Sequence, residues 1–146
     1  MPPAVPAADL EALIVQLSAV TTRRDGLSRT AAATLTRLAT SGPARLTDLA
    51  SLEEVSQPSM SSLVARLVDQ GLVLRRTDPD DARAVQLSLT PAGVALVAQR
   101  RAARTRRLDA ALAELSPEDV ARIADAVPAL TRLADALRRS SKEVTR

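Results

Sequence analysis

The chain has 146 residues, 25% of them charged and 46% hydrophobic, a balance that reads as one globular domain. It contains no Cys, His, Phe, Trp or Tyr, which excludes disulfides, thiolate nucleophiles, Cys- or His-based metal sites, Ser-His-Asp relays and stacking on splayed bases. The net charge is only +3, but residues 45–107 hold ten Arg against seven acids, so an anionic partner would meet the middle of the chain.

Met1-Pro2-Pro3-Ala4-Val5-Pro6 lacks the basic start and long apolar core of a signal peptide. Residues 1–8 are expected to be a disordered tail, and no apolar run reaches the length of a membrane span. A cytoplasmic protein without a membrane partner is the expectation. From Asp9 to about Thr22, Leu10, Leu13, Ile14, Leu17 and Val20 recur at helical spacing. Ser28 can cap a second helix with Ala31, Leu35 and Leu38 inward, ended near Ser41-Gly42-Pro43. Ala44-Arg45-Leu46 reads as a short extended piece, after which Thr47 can cap a third helix running through Val55. Ser56 caps a fourth, with Pro58 in its first turn, Met60, Leu63, Val64 and Leu67 inward, and Gly71 after its last turn.

The period then changes from helix to strand. Leu72–Arg76 and Ala84–Leu89 predict two strands, joined by the polar segment 77–83 as a hairpin with a charged, solvent-exposed tip. Thr90-Pro91 starts a fifth helix that can run to about Leu115. Ser116-Pro117-Glu118-Asp119 is an N-terminal signature for the last, with acids facing the helix dipole. In that last helix Val120, Ile123, Val127, Leu130, Ala134 and Leu137 are spaced as an a/d seam, and Pro128 should kink or split it. The seam suits a second subunit, though packing on the chain's own core would use the same stripe.

Helix, helix, short strand, helix, helix, hairpin is the order of a winged helix-turn-helix. The fourth helix is then the recognition helix, and its N-terminal residues face the major groove of duplex DNA. Ser56, Gln57, Ser59, Ser61 and Ser62 offer hydroxyl and amide groups there, and Arg66 follows one turn later. A solvated, capped helix start would look the same. Arg75 and Arg76, at the base of the hairpin, suit contacts to the DNA backbone or a solvated strand pair. Arg100, Arg104 and Arg107 share one face of the fifth helix; a solvated face, pairing with Glu118 or Asp125, and contact with DNA all remain open.

The chain resembles the MarR (multiple antibiotic resistance regulator) family in Ser56-Gln57-Pro58-Ser59-Met60-Ser61, in Leu67-Val68-Asp69-Gln70-Gly71-Leu72-Val73, and in Asp78-Pro79-Asp80-Asp81-Ala82-Arg83 running on to Leu87-Ser88-Leu89-Thr90-Pro91-Ala92-Gly93. The resemblance covers roughly residues 9–140. It implies a homodimer whose first, fifth and sixth helices interlock, with two winged domains reading a palindromic operator. It also implies that Arg83 enters the minor groove at the wing tip and that Asp81 orients it. An Arg suits the negative potential of a narrow minor groove. A surface ion pair between Asp81 and Arg83 is the plainer alternative. The sequence departs from the family pattern at Ala82 and Ser62, where larger, Arg- or Thr-type side chains are frequent, so fewer contacts are available.

The expected fold is therefore mainly α with a small β-hairpin wing, a winged helix-turn-helix with N- and C-terminal dimerisation helices. The expected divisions are a dimerisation helix over 9–27, a DNA-binding domain over 28–93 (recognition helix about 56–70, wing about 72–90), dimerisation helices over 94–140 and a tail over 141–146. The expected function is a dimeric, sequence-specific regulator of transcription that binds double-stranded DNA. It would act as a repressor relieved by a small lipophilic or phenolic anion, as in many relatives. No pocket residue can be assigned to that effector from sequence. No catalytic residue, cofactor or metal is expected, because Asp78, Asp80 and Asp81 lie on one solvated turn. The competing reading is a winged dimer that binds another protein as a co-regulator.

Overall fold

A computed structural model describes residues 6–21, 26–78, 81 and 85–144. Its elements are α1 (Ala7–Thr21), α2 (Arg29–Ser41), β1 (Ala44–Arg45), α3 (Leu46–Leu52), α4 (Gln57–Asp69), β2 (Val73–Thr77), β3 (Val85–Leu89), α5 (Pro91–Ala113) and α6 (Pro117–Val144). The fold is thus mostly helical with one small sheet. Residues up to Arg104 form one compact unit and those from Thr105 onwards a second, with α5 continuous through the division. No helix among the described residues is long and apolar enough to cross a membrane.

The sheet is antiparallel in the order β1-β3-β2. β2 and β3 pair from Val73 with Leu89 to Thr77 with Val85, and β1 adds Ala44 opposite Leu87 and Arg45 opposite Gln86. Val73 and Leu87 alone among the strand residues point fully inward, so the sheet is a lid on one side of a helical core.

That core is Ala31, Leu35 and Leu38 of α2, Leu49 and Ala50 of α3, Met60, Leu63, Val64 and Leu67 of α4, and the two strand residues. These α2 and α4 sets are the ones the helical period predicts. Each fully buried Leu contributes about 1.5–3 kcal/mol. Ser28 caps α2 by accepting from the Ala31 amide at 3.1 Å.

Several boundaries differ from expectation: α1 begins at Ala7 and α6 ends at Val144, inside the expected tails, and β2 covers Val73–Thr77 rather than residues 72–76. α3 does not begin at a Thr47 cap: the chain enters it directly from β1, Arg45 takes the cap position without a side-chain bond, and Thr47 lies inside the helix. α3 also stops at Leu52 rather than Val55, because Glu54 turns left-handed at φ 54°. α6 runs unbroken past Pro128 and is not split into two.

Thr34 is a core residue that its polarity concealed. It is fully buried on the inward face of α2, and its hydroxyl has no hydrogen-bond partner among the described residues. Burying an unpaired hydroxyl is costly. Thr34→Val keeps the branched shape and is expected to raise the unfolding free energy by about 1 kcal/mol. The check is a higher denaturant midpoint at unchanged slope.

Candidate nucleic-acid interface

The helix-turn-helix is α3, the turn 53–56 and α4. Two hydrogen bonds close α3: the Val55 amide donates to the Ala50 carbonyl at 3.0 Å and the Glu54 amide to the Ser51 carbonyl at 3.2 Å. This is a Schellman turn with Glu54 where glycine is usual. It delivers the chain to Ser56, the cap of α4, whose hydroxyl accepts from the Ser59 amide at 3.3 Å and donates to the Ser59 hydroxyl at 2.8 Å.

Because one face of α4 is committed to the core, the opposite face is fixed by geometry. Gln57, Ser59, Ser61, Ser62 and Arg66 are all exposed. Ser62 lies at the centre of the outward face, with Ala65 and Asp69 in line on successive turns. Ala65 and Asp69 were not anticipated, and one signal for them was available, since they follow from the same 100° arithmetic that picks out the core. Ser56 and Ser59 are occupied with each other at the cap, whereas Arg66 stands to one side. It borders a small cavity of about 350 Å³ with Gly26, Leu27, Ser28 and Gln70.

The far end of the helix is closed by Gly71. At φ 69° it lets its own amide donate to Val68 at 2.8 Å and the Leu72 amide donate to Leu67 at 2.9 Å. The chain then rises directly into β2, which holds Arg75 and Arg76 exposed beside β3.

At the outer end of β2 lies a contact with no counterpart in the sequence reading. Arg45 of β1 reaches across to Asp78, with Nε and Nη2 donating to the same oxygen, Oδ2, at 2.9 and 2.8 Å. The Asp78 side chain is only 2% exposed. This corrects the expectation that Asp78 shares one solvated turn with Asp81, which is indeed exposed. The hydrogen bond that Arg45 donates to Asp78, then the charge of that carboxylate, hold the Arg45 pKa above the ordinary arginine value. Asp81 and Asp48 add to this, and desolvation opposes it. The pair is 33 residues apart in sequence and ties the first strand to the start of the wing turn. Arg83, like Asp80 and Ala82, lies outside the described residues.

A second feature of the same unit is a cleft of about 920 Å³ between α1, α2 and the first half of α5. Ile14, Val15, Ala19, Ala32 and Ala33 supply apolar wall, and among the described residues its ionisable lining is Arg29, Arg37, Arg100 and Arg104. Arg100 is buried, Arg104 half-buried and Arg107 exposed, so the three are not one uniformly solvated face. Glu118, one of the acids considered for them, pairs instead with Arg122 at 2.7 Å.

Residues 27–85 match the MarR family model. An uncharacterised HTH-type transcriptional regulator of Mycobacterium bovis is 40% identical over 92 residues, 62% of this chain and 64% of that relative, so the match spans under two thirds of the relative's length. Among solved structures, a transcriptional regulator of Thermotoga maritima superposes with TM-score 0.71 at 23% identity, covering 91% of this chain and 96% of that one. A Staphylococcus aureus MepR mutant bound to an oligodeoxyribonucleotide superposes with TM-score 0.64 at 20% identity, covering 92% and 99%. At those identities the likeness is one of fold. The element order, the capped α4, the three-stranded sheet and the family match converge: the chain folds as a winged helix-turn-helix whose residues 27–85 are similar to the MarR family.

Proposed function

We propose that the protein is a sequence-specific, double-stranded DNA-binding regulator of transcription, without catalytic activity. The observation that carries this reading is the outward face of α4. Its hydroxyl- and amide-bearing first turns stand exposed while the opposite face is locked into the core, the arrangement a helix needs to enter a major groove. Ser61, Ser62 and Gln57 read base edges, Ser56, Ser59 and Arg66 sit at the flanks, and Arg75 and Arg76 contact the phosphate backbone. The Arg83 side chain enters the minor groove with Asp81 orienting it.

The regulator acts as a homodimer on a palindromic operator with half-sites about one helical turn apart. It acts as a repressor. The cleft between α1, α2 and α5 accepts a lipophilic anion that relieves repression, since its walls are aliphatic and its ionisable groups among the described residues are arginines.

The test is a mobility shift on DNA upstream of the protein's own gene, titrated with salt. Specific complexes that weaken steeply as salt rises are expected, because phosphate contacts release counterions. No specific shift even at low salt would favour the protein-binding winged dimer instead. Within this reading, Arg83→Ala weakens operator binding by about 1–3 kcal/mol with the fold intact. Unchanged affinity by fluorescence anisotropy with labelled DNA would remove Arg83 from the mechanism.

A further inference from the structure

One side chain belongs to both the cleft and the helix-turn-helix. Arg37 of α2 lines the cleft, and its Nε donates to Oε1 of Glu53 at 3.0 Å. Glu53 is the residue that closes α3, its amide donating to the Leu49 carbonyl at 3.0 Å, immediately before the left-handed Glu54. Its side chain is only 11% exposed, whereas that of Arg37 is 36% exposed. The turn that precedes α4 is therefore anchored to α2 by the guanidinium of a residue that also lines the cleft.

We infer that Arg37 is the relay by which an anionic ligand loosens the helix-turn-helix: a carboxylate bound in the cleft competes with Glu53 for the same guanidinium. This rests on the reading of the cleft as an effector site. An arginine can meet a carboxylate through its Nε edge or through its terminal nitrogens. Glu53 holds the Nε side. A ligand carboxylate on the remaining donors either displaces Glu53 or sits beside it with like charges facing, and both weaken the anchor. The aliphatic walls of Ile14, Val15, Ala32 and Ala33 suit a monocarboxylate with a hydrocarbon tail.

Competition is reciprocal, which makes it measurable without DNA. Octanoate is the probe, with octanamide as its uncharged counterpart, and binding to the full chain is followed by calorimetry. Glu53→Gln removes the internal competitor and is expected to tighten octanoate binding about five-fold or more, with little change for octanamide. Glu54→Gln makes the same change of charge one residue away, at an exposed position outside the ion pair, and is expected to leave the affinity near that of the parent. Arg37→Gln is expected to lose most of the preference for octanoate over octanamide. In mobility shifts, Glu53→Gln is expected to need more protein to bind the operator and to respond less to added octanoate.

If the parent binds octanoate but Glu53→Gln matches Glu54→Gln, the relay is wrong and the effector cleft stands. If the parent binds neither probe, the cleft reading falls and the relay with it. Should Glu53→Gln fold poorly, Glu53→Asp, whose shorter arm strains the contact, is expected to tighten octanoate binding in the same direction. An unchanged affinity for that variant overturns the relay.

Discussion

Gly93→Ala is expected to lower the unfolding free energy by about 3 kcal/mol and the Tm by roughly 10 °C, far beyond the cost of alanine in an ordinary helix turn. The reason is a junction of three hydrogen bonds. Thr90 donates its hydroxyl to the Gly71 carbonyl at 2.6 Å and its amide to the Leu72 carbonyl at 3.0 Å, while the Gly93 amide donates to the Thr90 hydroxyl at 3.0 Å. These bonds draw the first turn of α5 onto the backbone that follows the recognition helix. A Cβ on Gly93 would run into the Leu72 carbonyl oxygen and approach Leu89 Cδ2 to 3.2 Å. The carbonyl cannot swing aside, because it accepts the Thr90 amide and its residue closes the end of α4. Ala92→Gly, in the same helical turn but exposed, is the control and is expected to cost under about 1 kcal/mol. Thermal melts at one protein concentration check both. A Gly93→Ala protein as stable as the parent would mean that this junction yields easily.

The same junction explains why the Thr90-Pro91-Ala92-Gly93 run could be noticed in the sequence while its purpose could not. Local chemistry was legible wherever neighbours in sequence are neighbours in space. The caps at Ser28, Ser56 and Ser116, the closing glycine Gly71 and the inward rows of α2 and α4 all lie within one or two turns. Ser116, for instance, accepts from the Asp119 amide at 3.1 Å. Contacts spanning the fold were not legible. Nothing near Arg45 announces Asp78, and nothing near Arg37 announces Glu53, since those pairings depend on how β1 and α2 pack. Thr34 and Arg100 were obscured for the opposite reason: their polarity argues for solvent, and only the packed structure buries them. For α3, the Thr47 signal was overridden because β1 leads straight into the helix.

Paired substitution of Ile123 and Leu130 by Glu is expected to leave a folded monomer and to reduce operator affinity about 100-fold or more. Ile123, Val127, Leu130 and Leu137 of α6 are 43%, 52%, 46% and 58% exposed in the single chain, and they recur at the spacing of a helical seam. α1 adds Leu13 and Leu17 at 48% and 47%. Such rows are the surface a second copy would cover, and each Leu or Ile buried there contributes about 1.5–3 kcal/mol. A two-fold seam would bring four introduced carboxylates into an apolar contact, where unpaired charge is heavily penalised. The winged unit is expected to keep its fold, because its buried hydrophobic core, among the described residues, runs from Ala31 to Leu87. Losing the seam then removes the second half-site contact without touching α4. Sedimentation gives the mass, far-UV circular dichroism the helix content, and a mobility shift the affinity. A variant that sediments as a dimer would place the subunit contact elsewhere. A monomer that binds the operator as tightly as the parent would show that one winged unit suffices.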